Sequence, residues 1–467
     1  MLSTRPRSFG FVLLATLALP FAAGCAPADG KSAAHAHGSG TDPRVRAAKL
    51  QRIRQWEASQ LKMFHVELPD GLMSADVEAK APPKVECKNL EDGTRSCGIV
   101  LDIGKDDEGD PRTVECSATW NAIPLPFGVM VRTALGKFGL DEPPRVNVAW
   151  AAGRDGGLVA RFNAHVSYET PENTIVGTAK FAVRYTPGHT LFCTDTTGGA
   201  EATMLRLTSE LFDSAKVKGN ADGVVIQDAT KERRGDAATG FRFSFIKKAE
   251  DGGFTEVSSS FHVMSTDERW DVRDSLRSAS RDEKGAIESL RQVYWMNPKN
   301  VFVLSAKPGE QGRVRIKLEA NGKSDALEVT PRAPLSTEIW ESPGLLRVGS
   351  GGSAQHRYAF LAVSDEGEPT LAYSNLTRIR DGLVQEEVEV HGKKSKNADK
   401  HEKNELSLDA RGFVVKQVSS DSVDERLYLS GALPLSPSGS TQAAAPTATA
   451  GKSAESRSAK LPKGKKP

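Results

Sequence analysis

Cysteines and aromatic residues are scarce in this chain of 467 residues. There are five cysteines, and Phe, Tyr and Trp together make up 6%. Five cysteines are too few for a small scaffold held up by disulfides. At 38% hydrophobic residues, a chain of this length buries a sizeable core without one. Long apolar runs are missing as well. The stretch Phe9 to Leu19 has about eleven residues, whereas a membrane-spanning helix needs about twenty.

Motifs that fix a reaction are also absent. No G-x-S-x-G elbow occurs. His401 to Glu405, HEKNE, is half of a zinc-binding HExxH without its second histidine. Val348 to Ser353, VGSGGS, lacks the strand, helix and lysine of a phosphate loop. The acidic loop Asp102 to Asp110 lacks the alternating oxygen ligands and closing glutamate of an EF-hand, and reads as a solvated turn. Trp270-Asp271 has no repeat around it that would announce a propeller. His35 and His37 sit in a small, polar tract and fall short of a metal site.

The formal charge of +2 hides an asymmetry. Residues 1–24 carry +2, residues 25–64 carry +4 and residues 436–467 carry +5, which leaves −9 on residues 65–435. An acidic body between two basic ends fits ends that touch an anionic surface or simply keep linkers soluble.

What is present begins at the N-terminus. A short basic stretch, MLSTRPR, precedes the apolar run, and small residues then lead to Cys25. This is the pattern of a secretory signal. Ala22, Ala23, Gly24 and Cys25 resemble the lipobox of bacterial lipoproteins, with Ala22 where leucine is commonest. The resemblance covers the first 25 residues. It implies a signal peptide over 1–24, a diacylglycerol on the Cys25 sulfur, cleavage before Cys25, and an acyl chain such as palmitate on the new amino group. Ala26 in place of Asp implies delivery to the outer membrane, by the sorting rule of enteric lipoproteins. Each buried CH₂ of such chains contributes about 0.8 kcal/mol of anchoring.

Export gives the other four cysteines a use. Cys87, Cys97, Cys116 and Cys193 allow two disulfides in three pairings. Asp92-Gly93, a hairpin signal, lies between the first two and favours Cys87–Cys97, hence Cys116–Cys193. The rival use of Cys193 is as a nucleophile just before a helix, with His189 as its base. Their spacing of four on a strand and the oxidising destination favour the disulfide.

Residues 25–42 read as a flexible tether. Over 43–64, opened by Asp42-Pro43, Val45, Leu50, Ile53, Trp56, Leu61, Met63 and Phe64 fall within an arc of about 160°. The spacing predicts a basic amphipathic helix that packs on the body or lies on anionic headgroups. From residue 84 the period becomes two. Leu158, Ala160, Phe162, Ala164, Val166 and Tyr168 alternate with polar residues, as do Ile175, Ala179, Phe181, Val183 and Tyr185. That predicts an antiparallel meander with one buried and one wetter face. Met204, Leu207, Leu211 and Ala215 predict a closing helix. Strands resume after 220, with a hairpin at Asn321-Gly322, a helix over Asp282 to Tyr294 and a mobile polar loop over Gly392 to Asn404. Phe241 to Ser259 aligns without gaps on His356 to Ser374, each a strand, an acidic glycine turn and a strand.

The expected fold is mainly β (α+β). Curled antiparallel sheets form two β-rich domains, 84–217 and 220–435, with a few packing helices and a disordered basic tail over 436–467. The leading function is that of a lipid-anchored envelope lipoprotein, a non-enzymatic binding or structural module. Its partners would be the membrane and an envelope protein, polymer or lipid, without specific nucleic-acid binding, metal or cofactor. One rival is an exported hydrolase with scattered residues, revealed by a cleft where His, Ser and carboxylates converge. The other is a carrier of an apolar ligand, revealed by an apolar cavity inside a curled sheet.

Overall fold

A computed structural model describes residues 60–431, apart from 91–93, 106–108, 122, 137–138, 141, 151–156, 170–173, 219–221, 266–269, 298–299, 342–354, 364–367, 391–399, 411–412 and 421. Cys25, the signal segment, the tether, residues 43–59 and the tail lie outside the described residues. The protein is mainly β, with three antiparallel sheets and two α-helices among the described residues. Neither of these helices is long and apolar enough to cross a membrane.

The small sheet joins Lys62–Glu67, Met73–Ala79 and Lys216–Val217. The amphipathic helix expected over 43–64 therefore fails at its end. Lys62, Met63 and Phe64 pair with Ala79, Glu78 and Val77, and such long-range pairing overrides a local helical period.

The middle sheet has eight strands. Arg95–Lys105, Pro111–Trp120, His189–Asp195, Thr174–Thr186 and Leu158–Glu169 run side by side in that order. Cys87 lies opposite Cys97 and is bonded to it; Cys116 lies opposite Cys193 and is bonded to it. Disulfides persist outside the reducing cytoplasm, so this is the body of an exported protein.

The longer helix, Glu201–Ser214, lies between the small and middle sheets. Met204, Leu207, Leu211 and Phe212 share a core with Met73, Val77, Ile99, Leu101 and Leu191. Arg184 reaches the end of this helix, where its Nη1 donates to the carbonyls of Phe212 and Ala215. A cation there satisfies carbonyls that the helix leaves unpaired. Because the helix covers this face, Lys180, Ala182 and Arg184 are buried too. The expected wetter face is thus dry along 179–186, and Lys180 is compensated by Asp195 at 3.2 Å.

The third sheet has fourteen strands. Val224–Arg234 lies in its middle, paired on one side with Ala237–Lys248 and on the other with Val423–Gly431. Its edges are Lys323–Val329 and Gln355–Val363. Leu304, Ile316 and Leu318 from one end share a cluster with Ala359, Leu361, Leu371 and Tyr373 from the other, so the sheet is rolled. Long twisted sheets curl in this way.

Two expectations are corrected in this sheet. Residues 287–297 form a strand rather than a helix. A bulge beside Arg281 shifts its register, which puts Ile287 and Leu290 on one core and imitates helical spacing. Lys400–Leu408 is likewise a strand, paired with Leu383–Val390, so the expected loop ends before it. The two aligned hairpins share one register: Phe243 lies opposite Ser259 as Tyr358 lies opposite Ser374.

The middle and rolled sheets meet on one aromatic core. Phe127, first residue of the short helix Phe127–Leu135, lies 4.9–6.4 Å from the rings of Phe162 and Phe192 of the middle sheet and Phe241 and Phe261 of the rolled sheet. The cap residue of this helix, Pro126, offers no side-chain bond. Asp274 of the rolled sheet does so instead. Its Oδ1 accepts from Gly128 N at 2.7 Å, and its Oδ2 lies 3.1 Å from Arg132 Nη2. A Cβ on residue 128 would come within 2.6 Å of that carboxylate, so only glycine permits the contact. Burial raises the Asp274 pKa to about 6, against the pull of Arg132 and the Gly128 and Val129 amides.

That shift has a direction. The fold favours protonated Asp274, so its contribution is present near pH 4 and is lost as pH rises through 6. Two pKa units correspond to about 3 kcal/mol. Urea unfolding of wild type and Asp274→Asn at pH 4 and pH 7 is expected to show the variant gaining about that amount relative to wild type at the higher pH. A gap independent of pH rejects the assignment.

Candidate functional site

Strand pairing sets the inward-facing residues of the rolled sheet in rows. One row runs Thr230, Arg242, Ser260, Ser275. Two residues along lies the row Ser244, Ser258, Arg277, Gln292. Two residues the other way lies Glu232, Gly240, His262. Over these rows, closed by Glu338 and Asp424, is a chamber of about 220 Å³. His262 keeps 38% of its surface, so the chamber opens on that side.

Gly240 is what joins Glu232 to His262. The two stand two strands apart, yet His262 Nδ1 lies 2.5 Å from Glu232 Oε2. A Cβ on residue 240 would sit 2.4 Å from the Phe261 carbonyl and 2.9 Å from His262 Nδ1. Burial raises the Glu232 carboxyl, but the hydrogen bond and charge of His262 outweigh it and hold the pKa below the ordinary value.

The wall opposite is the segment 334–341, which runs inside the roll and is called the strap. Ser336 N donates to Ala359 O, and Ala359 N to Pro334 O. Arg281 Nη2 donates to Thr337 Oγ1 at 3.0 Å and lies 3.4 Å from Glu256 Oε2. The Arg281 guanidinium also stacks 4.1 Å from the Trp340 ring centroid. Glu338 is held by Arg242 Nη1 at 2.7 Å and by Arg426. Burial works to raise the Glu338 carboxyl. Arg242, Arg426 and Arg277 overcome this and hold it far below the usual carboxylate range. Burial pushes Asp228 and Asp424 up.

Arg277 and Gln292 differ from these neighbours. They are partners across adjacent strands, both line the chamber, and neither side chain hydrogen-bonds a described residue. The Ser260 and Ser275 hydroxyls bond each other at 2.7 Å.

The other sequence candidates lie elsewhere. Cys193 is in a disulfide and cannot be a nucleophile. His189 is buried with its ring 5.0 Å from Trp120. Burial first, and Arg184 second, lower its pKa to about 3, too low for a base at neutral pH. Asp102 lies in the strand Arg95–Lys105, where its Oδ1 accepts from Gly104 N across a register shift. His401 to Glu405 lies on a strand, and Val348 to Ser353 lies outside the described residues. Among the described residues no three His, Cys, Asp or Glu are grouped to hold a metal. Sequence reasoning passed over Gly240, a glycine inside the strand AATGFRFSFIKK; such a glycine often marks a close approach and was the signal that could have led to the chamber.

No protein-family model matches this chain, and no curated protein does. Among solved structures it is similar to a beta-barrel-like protein of the domain of unknown function DUF1849 from Brucella abortus. The TM-score is 0.30 at 16% identity, over 44% of this chain and 94% of that one. It is also similar to a mutant of AofleA from Arthrobotrys oligospora, with TM-score 0.15 at 7% identity, over 80% and 91% of the two chains. These likenesses assign no activity.

Glu338 and Arg277 are expected to behave differently when truncated. Glu338→Ala leaves two guanidiniums of the roll without their carboxylate and should lower stability by about 3 kcal/mol. Arg277→Gln removes no hydrogen bond to a described residue and should change stability much less than Glu338→Ala does. Equal losses in urea unfolding would contradict the division between strap anchors and uncommitted groups.

Proposed function

We propose that this protein is a lipid-anchored lipoprotein of the cell envelope whose body is a non-enzymatic binding module. The observation that carries the reading is the chamber. It is walled by strands paired on both sides, its ion pairs fix the strap in place, and two of its polar side chains are left uncommitted. A rigid concave site with convergent polar groups is the usual form of a small-molecule site. The polar lining favours this over the carriage of an apolar ligand. The two disulfides support an exported body, and the lipobox resemblance at Cys25 supports the anchor and an outer-membrane address.

A second reading is favoured by one observation: Glu232, His262, Ser260 and Ser275 converge in the chamber, the arrangement expected of a scattered hydrolase. Two features weigh against it. The serine hydroxyls bond each other, and no bond joins either to His262 among the contacts of the described residues. The backbone amides around Ser260 belong to strands paired on both sides, which leaves few donors for an oxyanion.

Two measurements test the proposal. Intact mass of the membrane-extracted protein should begin at a triacylated Cys25, and Cys25→Ser should release the chain to the soluble fraction. A soluble, unacylated wild type would remove the anchor. Incubation with a fluorophosphonate probe should leave the protein unlabelled; labelling lost in Ser275→Ala or Ser260→Ala and in His262→Ala would establish the hydrolase instead.

A further inference from the structure

We infer that the chamber takes a small hydroxylated carboxylate, held through Arg277 and Gln292. The inference rests on the reading of the body as a binding module and is independent of the lipid anchor.

Arg242 and Arg426 are tied to Glu338, and Arg281 to Glu256 and Thr337. Each is part of what keeps the strap inside the roll. Arg277 faces the same space, and its guanidinium makes no hydrogen bond to a described residue. Its compensation is the field of Glu338, a carboxylate already shared by two other guanidiniums. A ligand in the chamber can supply the acceptor that the Arg277 Nη groups lack. The guanidinium fork matches a carboxylate in two parallel bonds.

The neighbouring groups fix the rest of the ligand. Gln292, opposite Arg277, has a free amide that both donates and accepts. Ser258 lies opposite Arg277 on its other side, and the Ser260–Ser275 pair forms the next row. These groups suit hydroxyls, which likewise donate and accept. At the open end, four residues or about 13 Å further along the strand, the Glu232–His262 pair offers more acceptors. The volume of about 220 Å³ corresponds to roughly seven waters. That suits one six-carbon sugar acid or hydroxy acid. A simple anion would leave Gln292 unmatched, and a neutral sugar would leave Arg277 unmatched.

The test is calorimetric titration of the folded, exported protein with four probes: D-glucuronate, D-glucose, acetate and a disaccharide with a terminal glucuronate. D-glucuronate should bind saturably, at least tenfold more tightly than glucose or acetate. Arg277→Gln should lose at least tenfold in affinity with its melting point unchanged, and Gln292→Ala should lose less. Binding of the disaccharide as tightly as the free acid marks the end of an acidic polymer as the source, whereas binding of the free acid alone marks a solute. No saturable binding of either acid to wild type overturns the inference, as does equal affinity in Arg277→Gln. Should neutral glucose bind as well as glucuronate, the chamber is still a binding site but the carboxylate assignment falls.

Discussion

The contact of Phe127 with four other phenylalanines is the constraint on which the arrangement of this molecule depends. The ring comes from neither large sheet. It comes from a short helix that the middle sheet's own chain inserts between them. Removing such a ring from a packed core costs about 3–5 kcal/mol. It would also separate surfaces that are apolar only because they face each other. The helix is held there by a residue far along the chain, Asp274, which takes the place of the cap that Pro126 cannot supply. Gly128 makes room for that carboxylate, so one missing side chain permits the joint.

Inside the roll the logic is reversed. The enclosed face of the sheet is rich in charge, and a buried charge is tolerated only when paired and hydrogen-bonded. The strap meets this condition. Its Thr337 and Glu338 satisfy Arg281, Arg242 and Arg426, and Glu341 meets His356 at 2.6 Å. The roll therefore closes on a polar strap as well as on its two overlapping ends. Arg277 and Gln292 are the remainder of that polar face, and this makes the chamber a place for a ligand rather than another structural network.

Much of the scaffold was legible in the residues. Leu158, Ala160, Phe162, Ala164 and Val166 alternate and are buried together. Asn321 and Gly322 take the positive φ values their hairpin turn requires. Met204, Leu207 and Leu211 form the buried stripe of a helix. Errors arose where pairing between distant strands overrode local spacing. The bulge beside Arg281 gave the strand 287–297 a helical look, and the small sheet drew Lys62 to Phe64 out of a helical stretch.

The chamber was not legible, and the reason is physical. Alternation along GFRFSFIKK shows that this strand has two faces but not which one is enclosed. Phe241, Phe243 and Phe245 turn to the middle sheet, so Arg242 and Ser244 turn into the roll. The same alternation would describe a strand with its arginine in water. The sequence by itself determined the strands, the hairpins and the chemistry available at each position, because these follow from side-chain period and turn geometry. Only the tertiary structure decided that Glu232, His262, Arg277 and Glu338 meet, because they are brought together by the register and curl of a sheet built from residues some two hundred positions apart.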